Sequence, residues 1–195
     1  LIRPLWTEDR PAIPNTPLYG YDVRFAGESV ESKLTRIREK MTAKGATAMV
    51  ISALDEIAWL LNVRGSDIDY NPLVISYLLI GKEEVSWFVR KDSLEDLDPD
   101  TLDSFEELEA DGVCICGYSD LAAGLSQEQD RYDRIFVDPS TLNYTVGKLV
   151  AEIYGEDNIV WGRSPVVLEK SVKNEVEIAG QRSAMRRDAV ALTRF

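Results

Sequence analysis

The feature that most constrains this chain of 195 residues is an alternation of strand and helix patterns between residues 46 and 80. The run 46–51 is apolar and includes β-branched residues, which is typical of a strand. Apolar residues then recur at i, i+3, i+4 and i+7, the spacing of one helix face: Leu54, Ile57, Ala58 and Leu61. Asp55 and Glu56 lie in the first turn of that helix, where the helix dipole favours negative charge. A second apolar run, 73–80, follows a polar loop, so the unit of strand, helix, loop and strand predicts an α/β fold.

The same patterns continue on both sides of this unit. A helix is predicted from an N-cap at Ser29 to Lys44, a β-hairpin over 73–89, a helix over 100–108, and a helix capped by Ser140. Six strands are predicted, beginning near residues 47, 74, 85, 113, 134 and 159. Because helices separate most of these strands, we expect an α/β fold with a mixed sheet of about six strands flanked by helices.

The two ends of the chain differ from this central part. Residues 1–28 contain four prolines and two glycines, a composition that disfavours helix and sheet, and they predict an extended linker from a preceding domain. Residues 29–170 hold the predicted domain. From Lys173 the chain reads as a charged helix whose apolar positions have no evident partner. We therefore expect residues 171–195 to begin a further domain, and the chain to be a piece of a larger protein.

Composition excludes several classes of function. The hydrophobic fraction is 45% and the charged fraction 29%, which is ordinary for a folded soluble domain. The net charge of −12 argues against binding to nucleic acid or to an anionic membrane, because both require a basic surface. No apolar run of about 18 residues and no signal-peptide pattern occurs, so we expect a cytoplasmic protein.

The residue inventory also limits the chemistry. The chain has no histidine, which excludes Ser-His-Asp triads, Cys-His pairs and histidine-based metal sites. It has no glycine-rich phosphate loop. The remaining candidates for acid–base work or for binding a hard cation are four carboxylates: Asp55, Glu56, Asp67 and Asp69. Since their spacing fixes no geometry, and acidic pairs of the same density occur on surface helices, we assign no catalytic and no metal-binding residue.

The two cysteines lie in a strand-like segment. Cys114 and Cys116 are separated by one residue, and a C-x-C pair without histidine cannot supply the usual four-ligand zinc site. We expect both cysteines to be reduced and to pack within the domain.

The polar loop from Asn62 to Pro72 has two interpretations. In the first it is a turn, in which Gly65 provides an unusual backbone angle, Ser66 and Asp67 bond local N–H groups, and Arg64 pairs with an acid. In the second, the loop projects from the end of the sheet toward a neighbouring domain, as functional loops on rigid scaffolds do.

Three segments resemble one family. The string from Ala53 to Asp67, followed by Asn71-Pro72 and Ser76-Tyr77, closely resembles the middle domain of the three-domain Xaa-Pro aminopeptidases (aminopeptidase P, creatinase/prolidase superfamily). The segment that starts with Lys173-Asn174-Glu175-Val176-Glu177 resembles the helix that begins their pita-bread catalytic domain. A weaker match, Trp6 followed by Asp9-Arg10-Pro11, is similar to the linker into the middle domain.

This resemblance implies a creatinase-N-like domain without catalytic residues of its own. In that family two metal ions, usually manganese, are held by the catalytic domain, and the N-terminal domains narrow access to a site for peptides with proline at the second position. Four residues of this chain are the implied candidates for the substrate entrance or a domain interface: Arg64, Asp67, Asn71 and Tyr77. The implied partners are such peptides, the catalytic domain of the same chain, and a second copy in a homodimer. The alternative is a stand-alone, noncatalytic protein-interaction module with the same fold.

Overall fold

The computed structural model of the protein describes residues 5–6, 8–90, 94–95 and 97–195, which form eight strands and eight α-helices. In chain order they are β1 (Tyr19–Gly20), α1 (Val23–Ala26), α2 (Val30–Ala43), β2 (Ala48–Ile51), α3 (Leu54–Leu60), β3 (Val63–Arg64), β4 (Tyr77–Ile80), β5 (Val85–Val89), α4 (Pro99–Ala110), β6 (Val113–Gly117), α5 (Leu121–Gln127), β7 (Ile135–Val137), α6 (Tyr144–Tyr154), β8 (Ile159–Trp161), α7 (Pro165–Ser171) and α8 (Glu175–Arg194).

Six of these strands form one mixed sheet in the order β6-β5-β4-β2-β7-β8. Strand β4 is antiparallel to both of its neighbours, β2 and β5, and the other pairs are parallel. The carboxyl ends of the other five strands therefore meet at the edge of the sheet where β4 begins. The predicted mixed sheet of six strands flanked by helices is confirmed.

Helices cover both faces of this sheet, and the strands are buried on both sides. In β2, Met49 and Ile51 pack into one apolar cluster with the buried residues of α2 and α3, while Ala48 and Val50 pack into the other with α5 and α6. This alternation follows from the period of two residues along a strand. Helix α2 begins where predicted, since the Ser29 hydroxyl accepts a hydrogen bond from the N–H of Ser32.

Several predicted boundaries are wrong. Residues 1–28 are not purely extended, because they include β1 and α1 and bury Leu18. The strand predicted from residue 73 begins only at Tyr77. Helix α6 is capped by Asn143 rather than Ser140, whose N–H and hydroxyl both donate to the carboxylate of Asp138. Helix α7 was absent from the predicted elements.

Candidate functional site

The loop from Asn62 to Pro72, here called the 62–72 loop, is attached to the N-terminal segment. Its first residues form β3, which pairs antiparallel with β1 in a two-stranded sheet that places Arg64 opposite Tyr19. The N–H of Tyr21 also donates to the carbonyl of Asn62, 2.7 Å away. The start of the loop is therefore held by backbone hydrogen bonds to residues 19–21 and is not a free turn; these contacts are called the clamp below.

Asn62 begins this loop in a left-handed conformation, with φ of +50°. The buried Nζ of Lys33 donates to Asn62 Oδ1 at 2.6 Å and to the carbonyl of Trp59 at 2.8 Å. Burial lowers the pKa of Lys33 to about 8. Sequence reasoning missed this lysine, although its position three residues after Val30 places it on the apolar face of α2.

Arg64 is turned inward. Its Nη1 donates to the carbonyls of Ala58 (2.6 Å) and Val63 (2.8 Å), and its guanidinium carbon lies 4.2 Å from the ring centroid of Tyr21. Burial lowers the pKa of Arg64, but a guanidinium remains charged at neutral pH. The expected pairing of Arg64 with an acid is wrong: this side chain joins the end of α3 to the N-terminal segment.

Asp67 is also an internal residue, only 6% exposed. Its Oδ1 accepts hydrogen bonds from the N–H (2.9 Å) and the hydroxyl (2.8 Å) of Thr16, and its Oδ2 accepts one from the N–H of Ile75 (2.9 Å). Asp67 was expected to bond local N–H groups, but one of its partners lies 51 residues away in sequence. Ile75 lies two residues before β4, and its N–H bonds the Asp67 carboxylate. The carboxylate is thus the acceptor that a neighbouring strand would otherwise provide.

Gly65 is required by close packing rather than by an unusual backbone angle. A Cβ on this buried residue would come within 2.7 Å of Val74 Cγ2. The expectation that it provides a special backbone conformation is wrong, because the residues of this loop with a positive φ are Asn62 and Tyr70 and not Gly65.

The outer part of the 62–72 loop is a solvent-exposed tip, residues 69–71. The N–H of Asn71 donates to the carbonyl of Ile68 at 3.1 Å, closing a turn in which Tyr70 has a φ of +63° and a fully exposed ring. A large L-residue at positive φ is strained, and residues with such backbone strain cluster at functional sites. The Asn71 side chain is also exposed and donates to the carbonyl of Asp69.

Tyr77 lies apart from the other three candidates. Its hydroxyl accepts hydrogen bonds from Asn143 Nδ2 (3.0 Å) and from the Tyr118 hydroxyl (3.4 Å), and the two tyrosine rings stack with centroids 5.3 Å apart. Burial raises the pKa of Tyr118. In the described part of the chain no hydrogen bond connects Tyr77 to the 62–72 loop. The structure thus attaches Arg64 and Asp67 separately to the N-terminal segment, through Tyr21 and Thr16. It places Asn71 at the tip and Tyr77 at the carboxyl edge of the large sheet.

The remaining carboxylate candidates have separate environments. Asp55 forms an ion pair with Lys170 of α7. Glu56 is 2% exposed, accepts a hydrogen bond from the Ser164 hydroxyl, and has a pKa raised by burial. Among the described residues no group of three or more His, Cys, Asp and Glu side chains could hold a metal ion.

Helix α8 is anchored only at its first turn. Asn174 forms a capping box with Glu177: its side chain accepts from the N–H of Glu177 at 2.9 Å, and its own N–H donates to the Glu177 carboxylate at 3.0 Å. Asn174 Nδ2 donates to the carbonyl of Ala26 at 2.8 Å. No residue of α8 is buried, and Met185 and Leu192 are 73% and 71% exposed. The expectation that its apolar positions lack a partner within the described domain agrees with the structure.

These features define an α/β domain in which the candidate side chains hold segments together and do not converge on a reactive centre. The family profile of the Creatinase/Prolidase N-terminal domain matches residues 9–177, so the chain belongs to that family. The resemblance to Xaa-Pro aminopeptidases is confirmed, and the chain corresponds to an N-terminal or middle domain of such proteins.

The relatives agree with this assignment. Xaa-Pro aminopeptidase 1 of Dictyostelium discoideum is 36% identical over 188 residues, covering 96% of this chain and 28% of that protein. The crystal structure of X-prolyl aminopeptidase from Caenorhabditis elegans, described as a cytosolic enzyme with a di-nuclear active site, matches with a TM-score of 0.84 and 31% identity, over 97% of this chain and 30% of that one. A Streptococcus thermophilus Xaa-Pro aminopeptidase chain shares the fold at 14% identity and a TM-score of 0.52, over 72% of this chain and 98% of that one.

The chain thus spans less than a third of the length of its full-length relatives. The described residues do not fit a di-nuclear metal centre, because they hold no cluster of potential ligands and the sequence has no histidine. None of the described helices is long and apolar enough to cross a bilayer.

Proposed function

We propose that this chain is a noncatalytic module of a metal-dependent Xaa-Pro aminopeptidase, and that it shapes access to an active site carried elsewhere in the protein. The observation that supports this best is the match over 97% of the chain, at a TM-score of 0.84, to a solved X-prolyl aminopeptidase. The similarity to whole aminopeptidases at 36% identity gives the same assignment from sequence. The comparisons do not favour a stand-alone interaction module.

Two surfaces would connect the module to the rest of the enzyme. The first is the tip at residues 69–71, where a strained backbone holds the ring of Tyr70 in solvent. The second is α8, on which Met185, Ala189 and Leu192 follow the i, i+4, i+7 spacing of one helix face. We assign residues 171–195 to the start of the catalytic domain, which would cover this face, and residues 1–28 to the connection with a preceding domain.

The roles of the four candidates follow from their contacts. Arg64 and Asp67 would stabilise the inner half of the loop, because their polar atoms are occupied within the domain. Asn71, together with Tyr70, would contact the peptide or the opposing domain at the substrate entrance. Tyr77 would hold the carboxyl edge of the sheet.

The complete enzyme would act on peptides with proline at the second position and release the residue before it. It would be a cytoplasmic homodimer that uses two metal ions, manganese by the family resemblance. The description of the nematode relative as a cytosolic enzyme with a di-nuclear site supports the compartment and the number of metal ions.

The test compares this chain with the longer gene product. Purified 1–195 incubated with an Ala-Pro-Ala peptide and Mn²⁺ should release no alanine, whereas the longer product should release it and lose activity on chelation. The family resemblance implies that the gene beyond Phe195 encodes a histidine and four carboxylates as ligands of the two metal ions. Turnover by 1–195 that persists after removal of contaminating peptidases, or a gene that encodes no such ligands, would contradict the proposal.

A further inference from the structure

A pair of thiols lies on the outermost strand of the large sheet. Strand β6 is the edge strand of the order β6-β5-β4-β2-β7-β8, and it carries Cys114 and Cys116 two residues apart. Because side chains of a strand alternate between faces, the two thiols project from the same face. They are the only cysteines of the chain.

The two thiols differ in exposure. Cys114 is exposed, which overturns the expectation that both cysteines are packing residues. Cys116 is half-buried and packs against the apolar cluster that contains Phe88, Leu121 and Leu125. One sulfur is therefore held by the domain, and the other is open to solvent beside it.

The distance between the sulfurs, which form a thiol–thiol contact, also fits one class of ligand. The two Sγ atoms are 3.8 Å apart, beyond the length of a disulfide bond. A tetrahedral Zn²⁺ ion that holds two thiolates at about 2.3 Å each separates its sulfurs by about 3.8 Å. The pair thus has the spacing of one edge of a zinc–thiolate tetrahedron.

We propose that Cys114 and Cys116 form a bidentate site for a thiophilic divalent cation, Zn²⁺ or its softer congener Cd²⁺. Binding converts both thiols to thiolates and forms two metal–sulfur bonds, and the two protons go to solvent. Water fills the other two positions, because the described residues offer no third cysteine, histidine or carboxylate in a cluster with the pair. The site is consequently open and exchangeable, and the fold does not depend on its metal.

The experiment is a titration of the reduced chain with Cd²⁺, followed by the ultraviolet thiolate-to-cadmium absorption and by proton release in weakly buffered solution. The expected result is one Cd²⁺ and two protons per chain, displacement of Cd²⁺ by Zn²⁺, and an unchanged far-ultraviolet circular dichroism spectrum. Cys114→Ser and Cys116→Ser should each weaken binding at least about tenfold, since each removes one of two soft ligands.

A matched control keeps two thiols in the chain but places them on opposite faces of the strand. In Cys116→Ser combined with Ile115→Cys the two thiols lie on opposite faces of β6, so this variant should bind as weakly as the single substitutions. The circular dichroism spectrum of the double variant shows whether it is folded. If it is not, the affinity of Cys114→Ser still tests the proposal. Binding by the control or by a single variant with wild-type affinity would overturn the proposal, as would a stoichiometry of one Cd²⁺ per two chains, which would indicate a bridge between copies.

Discussion

In the 62–72 loop, the polar side chains of Arg64 and Asp67 turn inward and bond main-chain groups, whereas in α8 the apolar side chains of Met185 and Leu192 face solvent. The difference follows from what the rest of the chain supplies. Around the loop, the N–H groups of Thr16 and Ile75 need an acceptor, which Asp67 provides. Nearby carbonyl groups accept from Arg64. Beyond its first turn, α8 has no described element to pack on. A residue's polarity therefore predicts its environment only when its neighbours are known.

Loss of the Asp67 carboxylate should have the largest effect. Asp67→Ala removes three hydrogen bonds and leaves the N–H groups of Thr16 and Ile75 without their acceptor, so we expect the free energy of unfolding to fall by about 2–4 kcal/mol. Urea denaturation of the wild-type and variant chains measures this change in the free energy of unfolding.

The control for this substitution lies two residues further along the same loop. Asp69 is exposed, so Asp69→Ala should change the free energy of unfolding by no more than about 0.5 kcal/mol. Equal effects of the two substitutions would show that Asp67 does not add to the clamp in holding the inner half of the loop.

A substitution at the anchor of α8 should have the next largest effect. Gly27 has a φ of +73°, and a Cβ there would come within 2.5 Å of Asn174 Oδ1. Gly27→Ala should therefore destabilise the chain by about 1–2 kcal/mol and speed amide hydrogen exchange in the first turn of α8.

Gly180 provides the matched control on the helix itself. A Cβ at this position meets no atom within 4 Å, so Gly180→Ala should favour the helix by about 0.5–1 kcal/mol. If Gly27→Ala left exchange in α8 unchanged, the anchor assigned to Asn174 would be wrong.

The sequence predicted the elements better than the contacts between them. The hairpin of β4 and β5, helix α2 with its Ser29 cap, and the mixed sheet depend on local patterns of apolar and capping residues. The cap of α6 was misplaced because Ser140 and Asn143 have the same capping chemistry, and the nearby carboxylate of Asp138 binds the serine.

The candidate site could be predicted only in part. The 62–72 loop was recognised as unusual from its density of polar residues, but the inward direction of Asp67 depends on Thr16, 51 residues away, and no local pattern encodes that contact. Tyr70 was not singled out, because its exposure and its positive φ are properties of the folded turn.

Glu56 offers a smaller, pH-dependent comparison with Asp67, since both carboxylates are buried but Glu56 has a single hydroxyl donor, Ser164. The folded-state pKa of Glu56 lies above the ordinary value of 4.5, so the carboxyl group loses its proton at a lower pH in the unfolded chain than in the folded one. The free energy of unfolding therefore falls as pH rises from about 4.5 through the folded-state pKa. Glu56→Gln keeps an acceptor for Ser164 and has no charge to bury.

Thermal melts at two pH values measure this difference. Glu56→Gln should raise the Tm by about 2–4 °C at pH 7, the shift that corresponds to roughly 1 kcal/mol, and should have less effect at pH 4. A Tm that fell at pH 7 would indicate that the ionised carboxylate is stabilising.

The central claim is that the 62–72 loop has a structural inner half and a tip that meets the substrate or the opposing domain. The direct measurement is kcat, KM and Tm of Tyr70→Ala beside Arg64→Ala in the longer gene product, with an Xaa-Pro peptide as substrate of the proposed activity. We expect Tyr70→Ala to raise KM about threefold or more with a Tm within about 1 °C of wild type, and Arg64→Ala to lower the Tm while KM of the folded enzyme stays unchanged. Unchanged kinetics for Tyr70→Ala would contradict the account.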